Sequence, residues 1–440
     1  MTSQPLSQRP TETGSPLLAL DKPGFARLSL IVTAWASLTM FVEGFEMQLV
    51  GYAAPAMIGA LHVGKAEFGM IFGASNLGFF CGALLLSALG DRFGRRRLII
   101  CGVLLFSIFT LCAAYGQTVL TLSILRLCAG IGLGGAVPNA IALTAEYAPQ
   151  NRRASRITLL YVTYVLGSAG AGLLASWLIP MFGWPVVFLV GGWGGLICAT
   201  LLYFFVPESL SFLAQKNGDP TVTAAVRTER PPKVPFVALF REGRIWMTLL
   251  LWTSYITAIM ASQFITSWLP TLIAGTGVGI SLAALTGSLY HIGGTGGNVL
   301  MGWLMDRRGL KMIAVGFAVC VPITACMGFV SATLPLLAVA TFFLGLLMLG
   351  SLNGINAAAG MLYPTVMRSS GVGWTNGVGR VGSIIGPVIG GILISLKLSM
   401  STLFLILAVP VLLTALSLAA LASLRQSRNV KDPVVERLSA

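Results

Sequence analysis

The chain has 440 residues, 56% of them hydrophobic and 10% charged, with a mean hydropathy of +0.86. Soluble domains carry about 25% charged residues, so the composition excludes a soluble globular chain. A formal net charge of +14 raises the question of a nucleic-acid partner, and the placement of the basic residues answers it below.

The first 20 residues are polar and rich in Pro, Ser and Thr. They lack the basic, apolar and small-residue order of a cleaved signal, so 1–24 is expected to be a disordered cytoplasmic tail. Beyond it come apolar runs long enough to cross ~30 Å of hydrocarbon as helices. Twelve spans are expected, near 28–50, 67–89, 98–116, 119–146, 157–178 and 185–206, then 245–272, 281–305, 311–330, 334–361, 371–396 and 400–424. The reading is an all-α membrane protein: an N-terminal six-helix bundle over 25–206, a central loop over 207–244, a C-terminal bundle over 245–424 and a tail over 425–440.

An even number of spans puts both termini on one side. That side holds 24 of the 28 basic residues; the opposite loops hold Lys65 and Lys397, and Arg126 and Arg380 lie inside spans. The positive-inside rule makes the terminal side cytoplasmic. The charge reports topology, and no nucleic-acid partner is expected.

Span 1 contains Glu43-Gly44-Phe45-Glu46. Acids inside a membrane helix are costly and mark function by default. Their i, i+3 spacing puts them on one helical face, and two close carboxylates in low dielectric resist ionising together. They are the expected proton-coupling pair.

The hairpin after span 2 reads Ser87-Ala-Leu-Gly-Asp91-Arg92-Phe-Gly94-Arg95-Arg96-Arg97, and Gly302-Trp-Leu-Met-Asp306-Arg307 repeats it 215 residues later. Glu146-Tyr147-Ala-Pro149 returns as Leu362-Tyr363-Pro364. Two homologous halves follow. Asp91, Arg92, Arg96, Asp306 and Arg307 are candidates for a gate on the cytoplasmic side, and they also serve orientation.

Span 4 opens on Arg126 and continues Gly130-Ile-Gly132-Leu-Gly134-Gly135, where small residues allow close helix approach. Arg126 lies ~12 Å deep on the helical rise and needs either a substrate carboxylate or Glu43/Glu46 as partner. Gln263 and Trp268 in span 7, His291 in span 8 and Asn353 in span 10 are further substrate-binding candidates. So is Trp374 in span 11. Arg380, also in span 11, sits ~15 Å from the cytoplasmic end. No acid in the second half's spans can neutralise it. An anionic ligand is its simplest partner.

The seven cysteines fall within spans and show no CxxC, so packing is expected, with no disulfide, metal or cofactor. No nucleophile–base constellation appears, and no enzyme is expected.

The hairpin motif resembles the signature G-x-x-x-D-R-x-G-R-[RK]-[RK] of the major facilitator superfamily, with Ser87 where that family usually has Gly. Pro207-Glu208-Ser209 after span 6 is similar to another of its hallmarks. Glu43-Gly44-Phe45-Glu46 resembles the [DE]-G-[FL]-[DE] motif of the aromatic acid:proton symporter branch. Arg126 to Gly134, Ser267-Trp268-Leu269-Pro270 and Gly379-Arg380-Val-Gly382 also look like that branch.

The resemblance implies a monomeric bacterial inner-membrane protein that imports an aromatic carboxylate with protons by alternating access. A symporter of an aliphatic or sugar acid would use the same charges. A drug exporter is disfavoured, because span 5 lacks the G-P-x-x-G-G run that such proteins carry.

Overall fold

The computed structural model describes residues 23–149, 152–216, 236–241, 244–330, 333–364 and 367–430. Its first half holds α1 (Pro23–Leu61), α2 (Lys65–Phe93), α3 (Arg95–Ala113), α4 (Val119–Tyr147), α5 (Arg153–Phe182) and α6 (Pro185–Phe205). After α6 come a short α7 (Leu210–Lys216) and a 3-10 turn (Phe236–Phe240). The second half holds α8 (Ile245–Ala274), α9 (Ile280–Arg308), α10 (Lys311–Met327), α11 (Leu334–Leu362), α12 (Arg368–Ser395) and α13 (Met400–Val430). Helices are the only regular way to satisfy every backbone N–H and C=O within one segment in lipid, short of a closed barrel.

Ten of these helices are long and apolar enough to cross a membrane. Besides the seven-residue α7, the remaining two, α9 and α10, stand where the other two of the expected twelve spans fall. In α9 the run Gly293-Gly-Thr-Gly-Gly-Asn298 dilutes the hydropathy, and α10 is only 17 residues long. α1 extends well beyond the expected 28–50, through Pro55 to Leu61, because Ala53, Ala54 and Met57 are fully buried there. Of the expected tails at 1–24 and 425–440, residues 23–24 open α1 and 425–430 continue α13, while 1–22 and 431–440, like the stretch 217–235 of the central loop, lie outside the described residues.

Within the first half α1 packs on α5, and α4 packs on α2 and α3. Within the second half α8 packs on α12 and α13, and α11 packs on α9 and α10. The halves meet through α2 with α12, α5 with α9 and α1 with α8. These meetings concentrate away from the side where α1 starts and α13 ends. One apolar core joins Tyr52, Ala54, Phe68 and Phe72 of the first half to Trp268, Ala284 and Tyr290 of the second. The first half's core on the terminal side, around Val32, Phe106, Leu133 and Leu202, stands apart from it. The halves are joined on the far side and parted on the terminal side.

Glycine makes the far-side closure possible. A Cβ on Gly391 would run into the Lys65 carbonyl, and one on Gly69 would press on Pro387 and Val388. On the terminal side, Gly94 has φ +96 at the turn between α2 and α3, and the Glu208 carboxylate occupies the space a Cβ would need. No L side chain fits there without strain.

Candidate substrate cavity

A cavity of about 260 Å³ opens between the halves toward the terminal side. Ligand pockets usually run from about 300 to 1,000 Å³; this one lies just below that range, with room for a small ligand only. Both halves contribute: Met40, Met47 and Gln48 from α1, Phe79 from α2, and Tyr161 and Tyr164 from α5. Opposite them stand Tyr255, Ser262 and Gln263 of α8, His291 and Asn298 of α9, Asn353 and Asn356 of α11, and Asn376 and Arg380 of α12.

Arg380 supplies the cavity's formal charge. Its guanidinium lies 4.2 Å from the centroid of the Phe79 ring, across the interface between the halves. Among the described residues no carboxylate pairs with it. A cation on an aromatic face keeps its N–H edge free for a planar anion. Around it the lining is hydroxyl and amide: Asn356 Nδ2 donates to the Tyr255 hydroxyl at 2.9 Å, and that hydroxyl donates to Asn376 Oδ1 at 3.0 Å. Asn353 Nδ2 donates to Asn298 Oδ1 at 2.7 Å.

The far end of the cavity is closed by a hydrogen bond between the halves, from Gln263 Nε2 to Asn76 Oδ1 at 3.0 Å. Beyond it Trp268 is wholly buried. Its Nε1 donates to the Pro387 carbonyl at 2.8 Å, and its ring meets Phe68 and Phe72 edge-on at 6.3 and 5.2 Å.

The acids of α1 stand elsewhere. Neither lines the cavity, and both are buried inside the first half. Glu46 is turned about 100° or more from Met40, Met47 and Gln48 around the helix, whereas Glu43 shares the side of Met40 and Met47 but is covered. Glu46 Oε2 accepts from Thr110 Oγ1 at 2.8 Å and is 3.5 Å from Arg126 Nη1. Arg126 also donates to Thr110 Oγ1, to the Glu46 carbonyl and to Ser75 Oγ, so its donors are engaged within the bundle. Glu43 is 1% exposed, and neither of its oxygens has a hydrogen-bond partner.

Of the expected substrate-binding residues, Arg380, His291, Gln263 and Asn353 share the cavity. Arg126, Trp268 and Trp374 do not line it. Arg126 is held by Glu46, Trp268 lies in the far-side seal, and Trp374 is exposed beside Phe236 at 4.6 Å between ring centroids. The cavity tyrosines, Gln48, Asn76 and Asn376 were not singled out in the sequence. Uncharged groups carry little signal in an apolar run, although Asn376 stands i, i+4 from Arg380 and so shares its face.

At the terminal side the hairpin is tied to the end of its own half. The Arg96 backbone N–H donates to Glu208 Oε1 at 3.0 Å, its guanidinium donates to the Tyr203 carbonyl, and Arg95 pairs with Glu146 at 3.1 Å. Tyr147 donates to the Glu208 carbonyl at 2.7 Å. Arg92 is exposed beside Phe93, and Arg307 lies over Trp303 at 4.1 Å next to the exposed Asp306. None of these described side chains bridges the halves. The Asp91 side chain lies outside the described residues.

Two six-helix bundles, closed on one side around a cavity whose cation has no carboxylate partner among the described residues, have the build of a two-halved membrane transporter. The sequence carries this further: residues 36–335 match the family model described as Major Facilitator Superfamily, and the chain belongs to that family.

Among curated proteins the chain is 34% identical to a gallate transporter of Pseudomonas putida, over 91% of this chain and 93% of that one. It is 32% identical to a 4-hydroxybenzoate transporter of Acinetobacter baylyi, over 95% and 96%. It is 33% identical to a 3-(3-hydroxy-phenyl)propionate transporter of Escherichia coli, over 82% and 85%. Among solved structures, a D-xylose–proton symporter matches with TM-score 0.70 at 16% identity, over 88% of this chain and 97% of that one. The nucleoside transporter NupG matches with TM-score 0.71 at 14% identity, over 90% and 98%. At such identities the structures speak for the fold alone.

Proposed function

We propose that this protein imports an aromatic carboxylate together with protons by alternating access. The observation that carries the reading is Arg380, a guanidinium without a carboxylate partner in a cavity walled by Phe79 and three tyrosines. Three relatives of similar length, each over 30% identical, bear the names of aromatic-acid transporters.

In this reading the acid's carboxylate pairs with Arg380, and its ring packs among Phe79 and the tyrosines. Glu43 and Glu46 are the proton-coupling pair. An ion buried without a partner costs several kcal/mol, and a proton is the neutralising partner Glu43 can gain without moving a helix. Entry of an anion and a proton together leaves the net charge unchanged but pairs Arg380 and neutralises Glu43, so no bare ion is left when the protein closes, which lowers the cost of occlusion.

The structure's arrangement, sealed at Trp268 and parted at the termini, corresponds to the inward-open end of the cycle. By the positive-inside rule the basic hairpins and tails support cytoplasmic termini in a bacterial inner membrane, and in this reading Asp91/Arg92 and Asp306/Arg307 meet when that side shuts.

The test is uptake into proteoliposomes with the outside acidified, using labelled 4-hydroxybenzoate, benzoate, a sugar acid and a dicarboxylate. Gradient-driven accumulation of an aromatic acid, abolished by Arg380→Ala, is expected. Accumulation of only the sugar acid or the dicarboxylate, or uptake of an aromatic acid indifferent to the gradient, refutes the reading in substrate or in coupling respectively.

A further inference from the structure

Two polar side chains of the cavity have nothing to bind. Gln48 is 8% exposed and His291 is 5% exposed, both line the cavity, and among the described residues neither side chain makes a hydrogen bond. They come from opposite halves, Gln48 from α1 and His291 from α9. Their neighbours are already committed: Gln263 to Asn76 and Thr266, and Ser262 to Tyr290.

Depth separates His291 from the cation, and Gln48 is placed with His291 by its neighbours. Asn76, Gln263 and His291 each stand eleven residues from the far-side end of their helices, at Lys65, Ala274 and Ile280. At 1.5 Å per residue that is about 16 Å from the far side. Gln48 lines the small gap at the closed end together with Asn76, Gln263 and Thr266. Arg380, fifteen residues from Ser395, is at about 22 Å. The cavity therefore has a cationic level and, toward its closed end, a neutral level with one unsatisfied amide and one unsatisfied imidazole.

Resting on the carboxylate reading above, we infer that Gln48 and His291 form a ring-hydroxyl subsite, which makes the protein select acids bearing a hydroxyl remote from the carboxylate. A phenolic hydroxyl offers one donor and two acceptor lone pairs, and an amide with an imidazole can engage it from both sides. A bare ring leaves both groups buried and unpaired. Sites built to hydrogen-bond a hydroxyl reject the analogue lacking it far more strongly than apolar pockets discriminate by size. Because the two residues belong to different halves, the same hydroxyl also ties the halves together at the closed end.

The experiment is proteoliposome uptake of 4-hydroxybenzoate and benzoate side by side, read as the ratio of their kcat/KM values, for wild type, Gln48→Leu, His291→Leu and His291→Gln. Wild type is expected to favour the hydroxylated acid by about ten-fold or more. Both leucine variants should collapse that ratio, and His291→Gln, which keeps a hydrogen-bonding group, should retain most of it. Residual benzoate uptake certifies that a variant is folded.

A wild-type ratio near one, or leucine variants that lower both substrates equally, overturns the subsite and leaves the transport reading standing. Wild type that accumulates neither acid overturns the transport reading, and the subsite falls with it.

Discussion

Arg126 Nη1 stands 3.5 Å from Glu46 Oε2, and both side chains are sealed inside the first bundle. Removing one member of such a pair leaves a bare buried charge, at a cost of about 3–5 kcal/mol, whereas replacing both is far milder. Arg126→Leu should therefore lower the apparent Tm in detergent sharply, and adding Glu46→Leu should restore much of it. A double variant as unstable as the sum of the singles would contradict a pairing role.

Glu43 makes the contrast. It has no hydrogen-bond partner to lose, and Gln is nearly isosteric with the protonated acid, so Glu43→Gln should leave the Tm close to wild type. Its effect should fall on coupling: substrate exchange across the membrane retained, accumulation against a gradient lost. Counterflow and gradient-driven uptake on the same vesicles separate the two. Intact accumulation in this variant would remove Glu43 from the proton pathway.

Arg380 should be intolerant even of lysine. An ammonium cannot reproduce the flat fork that stacks on Phe79 and faces a carboxylate. Arg380→Lys is expected to weaken binding of an aromatic acid by about 100-fold, in the range seen when a buried charged contact is cut. Titration calorimetry in detergent reads this directly, and a change of only a few-fold would place the anion elsewhere.

These contrasts mark what was legible in the sequence. Charge was: an arginine deep in an apolar span has few partners, so Arg126 and Arg380 both drew attention. For Arg126 the partner was narrowed to a substrate carboxylate or Glu43/Glu46, and the choice of Glu46 became visible only once α1, α3 and α4 were packed. The repeat of Asp91 at Asp306 gave the two halves, and the apolar runs gave the helices.

The aromatic candidates were least legible. Trp268 and Trp374 have the same chemistry in sequence, yet one is buried in a seal and the other exposed at the helix ends. Gln48 lay five residues from Glu43 in an acid-bearing run, and its helical phase puts it on the other side of α1.

Trp374 therefore gives a discriminating control. It stacks near Phe236 and is 44% exposed, outside the cavity. Trp374→Ala should leave the KM for an aromatic acid within about two-fold of wild type, as surface substitutions usually do. A ten-fold rise would bring it back into the substrate path.

Trp268 should act on the conformational equilibrium instead. Its indole binds the Pro387 carbonyl on α12 and meets Phe68 and Phe72 on α2, so one side chain spans the seam between the halves. Burying an aromatic of this size and truncating it to alanine costs about 3–5 kcal/mol. That cost is paid only by the state in which the far side is closed. Trp268→Ala should thus shift the population toward far-side opening.

A membrane-impermeant maleimide added from that side should then label a Gln48→Cys reporter faster in the Trp268→Ala background than alone. The seven native cysteines are removed first, so that the reporter is the sole thiol. Equal labelling rates in the two backgrounds would mean that the α2–α12 glycine crossing at Gly69 and Gly391 holds the seal without the indole.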